Sequence, residues 1–103
     1  MSSARITAVV MPKLGMTMTE GKVVDWQVEA GDEVMEGDEL VGIETEKITN
    51  ICESPADGVF RRRVAHDGDT LAVGALIGVI AQAETPEADI DTFVANFKAE
   101  EEA

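Results

Sequence analysis

The sequence predicts an all-β sandwich or barrel, followed by a C-terminal helix or linker. Short apolar runs alternate with Gly-Asp, Asp-Gly and proline positions, and such close spacing is typical of strands joined by tight turns. The nine glycines all fall between residues 15 and 78, and a helix there would lose about 1 kcal/mol at each glycine relative to alanine. Near Ala83 the composition changes, because glycine disappears and acidic residues become frequent.

Six apolar runs predict the strands. They cover residues 6–11, 23–28, 40–43, 48–52, 59–64 and 76–80. Gly-Asp pairs between these runs mark turns, because glycine readily takes the positive φ that tight turns require. Aromatic residues make up only 4% of the chain, so we expect an aliphatic core between the strands.

The chain contains an internal repeat with a period of 37 residues. This shift superposes four turn positions, namely Gly21 on Gly58, Gly31 on Gly68, Asp32 on Asp69 and Gly37 on Gly74. Apolar positions follow the same shift, whereas Trp26 falls on Arg63, so we do not expect the halves to be interchangeable. The repeat predicts a pseudo-two-fold β structure in which each half contributes strands to both sheets.

The acidic tail has the period of a helix. Its apolar residues fall at i, i+3, i+4 and i+7, on one helix face: Ile90, Phe93, Val94 and Phe97. Thr85 suits a helix cap and Pro86 the first helical position. We therefore place a domain at residues 1–83 and an acidic linker at 84–103, with an amphipathic helix over 86–98. Because so short a helix is marginal alone, we expect it to pack on this domain or on whatever follows it. A solvated linker is the alternative.

Composition excludes several classes of function. With 103 residues the chain forms one domain, and its net charge of −13 argues against binding nucleic acid or an anionic membrane. Arg61–Arg63 is too short a basic cluster to reverse that. The single cysteine, Cys52, and the single histidine, His66, exclude a disulfide within the chain and a cysteine- or histidine-rich metal site. Without a membrane span or signal peptide in the sequence, we expect a soluble, monomeric, cytoplasmic domain.

The segment Glu44-Thr45-Glu46-Lys47-Ile48 is the candidate functional site, because it forms a charged tip between two predicted strands. The simplest interpretation of such a tip is a solvated hairpin. A nucleophilic lysine needs burial or a neighbouring positive charge to lower its pKa. The carboxylates of Glu44 and Glu46 instead favour the ammonium form of Lys47, so another enzyme would have to modify this lysine.

A set of ordered motifs resembles one known family. In chain order they are Met11-Pro12-Lys13-Leu14-Gly15, Met18-Thr19-Glu20-Gly21-Lys22-Val23, Trp26-Gln27-Val28, Gly31-Asp32, Gly37-Asp38-Glu39-Leu40, Glu44-Thr45-Glu46-Lys47-Ile48, Pro55, Gly58, Gly68-Asp69 and Val73-Gly74. Together they resemble the lipoyl domain of the acyltransferase in 2-oxo acid dehydrogenase complexes, over residues 5–82. The resemblance implies a flattened barrel of two four-stranded antiparallel sheets, with lipoate in amide linkage to Lys47.

Some residues resemble the acetoin dehydrogenase branch of that family. They are Ile48 after the lysine, the Arg61–Arg63 run and the Val73–Leu76 segment, whereas the common tip of the family is Glu-Thr-Asp-Lys-Ala. The resemblance also implies that the loop with Met16 and Met18 lies beside the lysine and helps partner enzymes recognise it, whereas the simpler interpretation is that these side chains fill gaps in the core. We expect Glu44, Thr45, Glu46 and Ile48 to contribute to recognition at the tip.

The resemblance implies a carrier rather than an enzyme. Its lipoyl-lysine would move an acyl group, acetyl in the acetoin branch, from a thiamine-diphosphate dehydrogenase component to coenzyme A in an acyltransferase domain. A dihydrolipoyl dehydrogenase would reoxidise the arm, and a lipoate ligase or lipoyl transferase would attach it. The family assigns no metal and no catalytic side chain to this domain.

Three alternatives stay open. A biotinyl carrier domain of a carboxylase has the same fold, but its tip typically reads Met-Lys-Met, whereas Lys47 lies between Glu46 and Ile48. The lipoyl carrier of glycine cleavage is typically longer and has additional helices. An unmodified β-sandwich adaptor is the third alternative, and it applies if Lys47 is never modified.

Overall fold

Two four-stranded antiparallel sheets make up the fold, as the sequence and the family resemblance predict. The computed structural model describes residues 6–46 and 48–101. The strands are β1 (Thr7–Val10), β2 (Glu20–Val24), β3 (Glu33–Val34), β4 (Glu39–Glu44), β5 (Thr49–Glu53), β6 (Gly58–Arg63), β7 (Thr70–Ala72) and β8 (Leu76–Ala81). One sheet has the order β1-β8-β6-β3 and the other has the order β5-β4-β2-β7.

The six predicted runs correspond to six of these strands, but one is displaced. The strand expected over residues 23–28 is Glu20–Val24, because Asp25 takes a left-handed φ of 54° and ends it. The strands β3 and β7 were not predicted. They are two and three residues long, and a segment this short cannot show a recognisable alternation of apolar and polar residues.

The predicted pseudo-two-fold symmetry is evident in the sheets. Exchanging β1 with β5, β2 with β6, β3 with β7 and β4 with β8 converts one strand order into the other. Hydrogen bonds cross between the halves at equivalent points. The Gly31 amide donates to the Phe60 carbonyl, and the Gly68 amide donates to the Val23 carbonyl. Both glycines have positive φ, 103° and 94°, so the turns that lock the halves together need glycine.

The mismatch between Trp26 and Arg63 conceals a shared role. Trp26 Nε1 donates to the Ala65 carbonyl at 3.0 Å, and Arg63 donates to the Val28 carbonyl through Nε at 3.0 Å. These two acceptors are themselves related by the 37-residue shift. The Arg63 guanidinium also lies 5.7 Å from the centre of the Trp26 ring, within the range of a cation–π contact. The two different side chains thus make equivalent links between the halves.

The core between the sheets is mainly aliphatic, as predicted. Its fully buried members include Met11, Val23, Leu40, Val41, Ile43, Phe60, Ile77 and Ile80. Trp26 is partly buried at the edge of this core, with its ring 5.3 Å from that of Phe60. Cys52 is also buried, at 6% exposure.

The predicted C-terminal helix is confirmed as α1 (Glu87–Glu101), which ends three residues later than expected. It packs on the outer face of the β1-β8-β6-β3 sheet, where Ile90 is fully buried with Leu76 and Val79. Phe93 and Phe97 are partly buried in the same cluster. The tail is therefore a packed helix rather than a solvated linker, while the domain boundary at Ala83 stays a prediction.

An ion-pair clamp holds the start of α1 against β6. Arg61 and Arg62 contact the two carboxylate oxygens of Glu87 at 3.0 and 2.7 Å, and Arg62 also contacts Asp91 at 2.6 Å. The register of β6 against β8 shifts by one residue between Phe60 and Arg62, so adjacent arginines reach the same helix. Hydrogen bonds from both arginines hold the pKa of Glu87 below its usual range.

Acid should weaken the clamp. Because the folded state lowers the pKa of Glu87, its contribution to stability is present above the unfolded pKa and is lost as pH falls through the lower folded value. We expect amide protection factors at Ile90 and Phe93 to fall between pH 5 and pH 3. Hydrogen exchange measures this, and Glu87→Gln should remove most of the pH dependence. Glu84→Gln, an exposed acid ahead of the helix, is the control. Equal acid sensitivity in both variants would contradict the role of Glu87.

Native Cys52 should resist thiol reagents. Burial, with a smaller contribution from Glu53, raises the pKa of its thiol from 9.0 to about 11, so at pH 8 the thiolate fraction falls about 100-fold relative to an exposed cysteine. We expect labelling by a maleimide at pH 8 to be slow in buffer and fast in denaturing urea. A native rate equal to that in urea would place Cys52 at the surface. Because folding raises this pKa, the associated stability is full below pH 9 and declines as pH rises toward 11.

Candidate functional site

The candidate tip connects two adjacent antiparallel strands. Glu44 at the end of β4 pairs with Thr49 at the start of β5, so residues 45–48 form the connection. The backbone amide and the hydroxyl of Thr45 both donate to the Ile48 carbonyl, at 2.8 and 3.1 Å. The second bond stabilises a turn that contains no glycine. Lys47 itself lies outside the described residues.

The described neighbours of Lys47 are exposed. Glu46 faces solvent, and Ile48 is 57% exposed despite being aliphatic. Glu44 is exposed as well, whereas Thr45 is half-buried by its place in the turn. Ile48 therefore contributes little to the core and leaves an apolar side chain exposed at the tip.

A groove separates the tip from the loop between β1 and β2. Its volume is about 750 Å³, and its walls come from the loop, from β2 and from the tip. Six residues were predicted to take part in recognition, and four of them belong to the tip. All four line this groove: Glu44, Thr45, Glu46 and Ile48. Met18 lines it from the loop. Met16 does not; it is 94% exposed and lines a smaller adjoining depression with Lys13, Leu14 and Gly15.

The groove contains one ion pair that was not predicted from the sequence. Lys22 on β2 lies opposite Glu44 on β4, with Nζ and Oε1 4.0 Å apart. Both side chains are 48% exposed, so the pair adds little to stability. It does offset one of the acids beside the tip. Lys22 was missed because the predicted strand began at Val23, and a strand placed over residues 20–24 would have brought these residues together.

The described residues of the groove are mostly threonines, glutamates and apolar side chains. Among them Lys22 is the only cation, the acids are glutamates, and there is no histidine, cysteine or aspartate. Elsewhere in residues 6–46 and 48–101, no three potential ligands cluster as a metal site would require. Nor does this part of the chain contain a helix long and apolar enough to cross a membrane. His66 lies exposed in a turn, where its backbone amide donates to Asp69.

Comparison with known proteins agrees with this geometry. Over 97 residues the chain is 45% identical to the dihydrolipoyllysine-residue acetyltransferase component of the acetoin cleaving system of Pseudomonas putida, an alignment that covers 94% of this chain and 26% of the relative. The chain thus spans about a quarter of the length of that relative. The solution structure of the lipoyl domain of the 2-oxoglutarate dehydrogenase complex from Azotobacter vinelandii superposes with a TM-score of 0.55 at 28% identity, over 76% of this chain and all of that domain.

A more distant structural match supports the fold alone. A single-chain, multi-domain long-chain acyl-CoA carboxylase superposes with a TM-score of 0.61 but shares only 21% identity, over 87% of this chain and 8% of the carboxylase. The family described as biotin-requiring enzyme, which unites biotinyl and lipoyl domains, matches residues 7–80. Because that match spans well over half of the sequence, this chain belongs to the biotinyl/lipoyl domain family.

Proposed function

We propose that this chain is the swinging-arm carrier domain of an acyltransferase component, with lipoate in amide linkage to Lys47. The observation that carries the proposal is that Glu46 and Ile48, the sequence neighbours of Lys47, are both exposed where β4 and β5 are connected. A ligase must reach the lysine from outside, and the exposure of both described neighbours is consistent with such access. The likeness to the acetyltransferase of an acetoin cleaving system favours lipoate over biotin.

The residues around the turn suit such a group. Amide formation removes the charge of the lysine, so the modified site needs no buried counter-ion. The Lys22–Glu44 pair on the neighbouring strands already offsets one acid. Exposed Ile48 and Leu14 offer apolar surface beside the point of attachment. These features fit an uncharged, largely aliphatic arm.

The protein contributes presentation and recognition. When bound, lipoate supplies a disulfide that accepts electrons and an acyl group, and that chemistry belongs to the cofactor. The turn follows β4, whose Val41 and Ile43 are fully buried, so the turn is anchored in the core at that end. Tethering in the parent protein raises the effective concentration of the arm at each active site.

The proposal includes the partners of a complete acyl-transfer cycle. A thiamine-diphosphate dehydrogenase component would load the arm with an acyl group, acetyl in an acetoin system. An acyltransferase domain would pass the group to coenzyme A, and a dihydrolipoyl dehydrogenase would restore the disulfide. A lipoate ligase or lipoyl transferase would attach the cofactor. The name of the Pseudomonas putida relative supports the acetoin assignment.

Lipoylation should occur at Lys47 alone. Incubation with lipoate ligase, ATP and lipoate should give one modification by intact mass, and Lys47→Arg should abolish it. Lys13→Arg, in the exposed loop beside the groove, is the matched control and should be modified like the wild type. Modification that survives in Lys47→Arg would contradict the assignment. Modification by biotin ligase with biotin, and not by lipoate ligase, would support the carboxylase alternative.

The unmodified domain should fold as stably as the modified one. The fully buried core side chains lie outside residues 44–48, so attaching an arm to the turn adds no burial between the sheets. We expect the thermal unfolding midpoints of the unmodified and lipoylated forms to coincide closely by calorimetry. A cooperative transition that appears only after lipoylation would show that the cofactor is part of the fold.

A further inference from the structure

Two methionines of the loop between β1 and β2 have opposite environments. Met16 is 94% exposed, whereas Met18 is half-buried and packs against the main core. They are separated by one residue in the same loop, so a single shared role in recognition does not account for the difference. Their contacts suggest that one faces a partner and the other holds the loop.

Met18 is tied to the loop by two hydrogen bonds. Its sulfur accepts the backbone amide of Leu14 at 3.2 Å, and its own amide donates to the Gly15 carbonyl at 3.2 Å. These bonds close the segment from Leu14 to Met18 into a compact turn. Leu14, 41% exposed, lines the groove, and Met16 projects from the same turn into solvent.

Met18 also ties the loop to the strand that leads to the tip. Gly21 has no side chain, and a Cβ at that position would lie 3.0 Å from Met18 Cε and 2.7 Å from Ile43 Cγ2. The Met18 methyl and the Ile43 side chain therefore lie around the same space, which only glycine leaves open. Ile43 directly precedes Glu44, so a methyl group fixed here sets the loop relative to the tip.

We infer that Met18 is a positioning residue, which fixes the turn from Leu14 to Met18 so that Leu14 and Met16 meet a partner enzyme together with the lysine turn. The inference rests on the proposed function and assigns different roles to the two methionines. Met16 contacts the partner. Met18 is half-buried against the core and acts through Leu14 and Met16.

The decisive variant is Met18→Leu, since leucine is close to methionine in volume but accepts no hydrogen bond. Loss of one weak hydrogen bond should raise the exchange rate of the Leu14 amide by roughly 5- to 10-fold, with core amides such as Ile43 unchanged. With the thiamine-diphosphate component of an acetoin dehydrogenase system and acetoin, the KM for the lipoylated variant should rise about 5-fold at constant kcat, because binding must then order the loop.

Two further variants separate positioning from contact. Met16→Ala should raise KM without changing Leu14 exchange. Met35→Leu, an exposed methionine in the turn that precedes β4, is the matched control and should change neither quantity. If Met18→Leu unfolds, the wild type still decides, because a Leu14 amide that exchanges at the random-coil rate would overturn the inference.

The remaining outcomes are distinct. Equal Leu14 exchange in the wild type and Met18→Leu would overturn the positioning role, whatever happens at Lys47. Faster exchange with an unchanged KM would also overturn it, because the loop would then be loosened without effect on recognition. A wild-type domain that lipoate ligase does not modify would instead overturn the proposed function.

Discussion

The fold depends on hydrogen bonds exchanged between its two halves. The Gly31 amide donates to the Phe60 carbonyl and the Phe60 amide donates to the Asp32 carbonyl, while Gly68, Asp69 and Val23 repeat the pattern in the other half. Each half thus completes a strand edge of the other, and the halves form one cooperative unit. The central strands β4 and β8 are buried as a consequence. The tip extends from β4, so its orientation is set by the most constrained part of the molecule.

The two sheets differ in the polarity of their outer faces. The outer positions of β8 are Leu76, Val79 and Ala81, which pack in the cluster that contains α1. The equivalent positions of β4, 37 residues earlier, are Glu39, Gly42 and Glu44. One sheet is therefore apolar outside and covered by a helix, and the other is polar outside and leads to the tip. The repeated frame supplies rigidity, and substitutions on its outer faces decide which side is covered.

Patterns with a clear period predicted most of this architecture. The apolar runs located six strands, and the spacing from Ile90 to Phe97 located the helix, because each pattern reports one buried face. The turn with Lys47 was found from its charge between two apolar runs. Strands as short as β3 escaped prediction, and the left-handed Asp25 displaced β2. The partners of the arginines could not be read from sequence either, because they depend on how a helix 25 residues away packs.

The charged side chains at the helix are paired differently from those at the groove. At the helix, Arg61 and Arg62 compensate Glu87 and Asp91 within the chain. At the groove, only Lys22 offsets the glutamates among the described residues. Acylation of Lys47, as proposed, would remove another positive charge there and leave the rim more acidic just when the domain becomes competent. A basic partner surface would then be attracted to the modified tip, with an attraction that weakens as ionic strength rises.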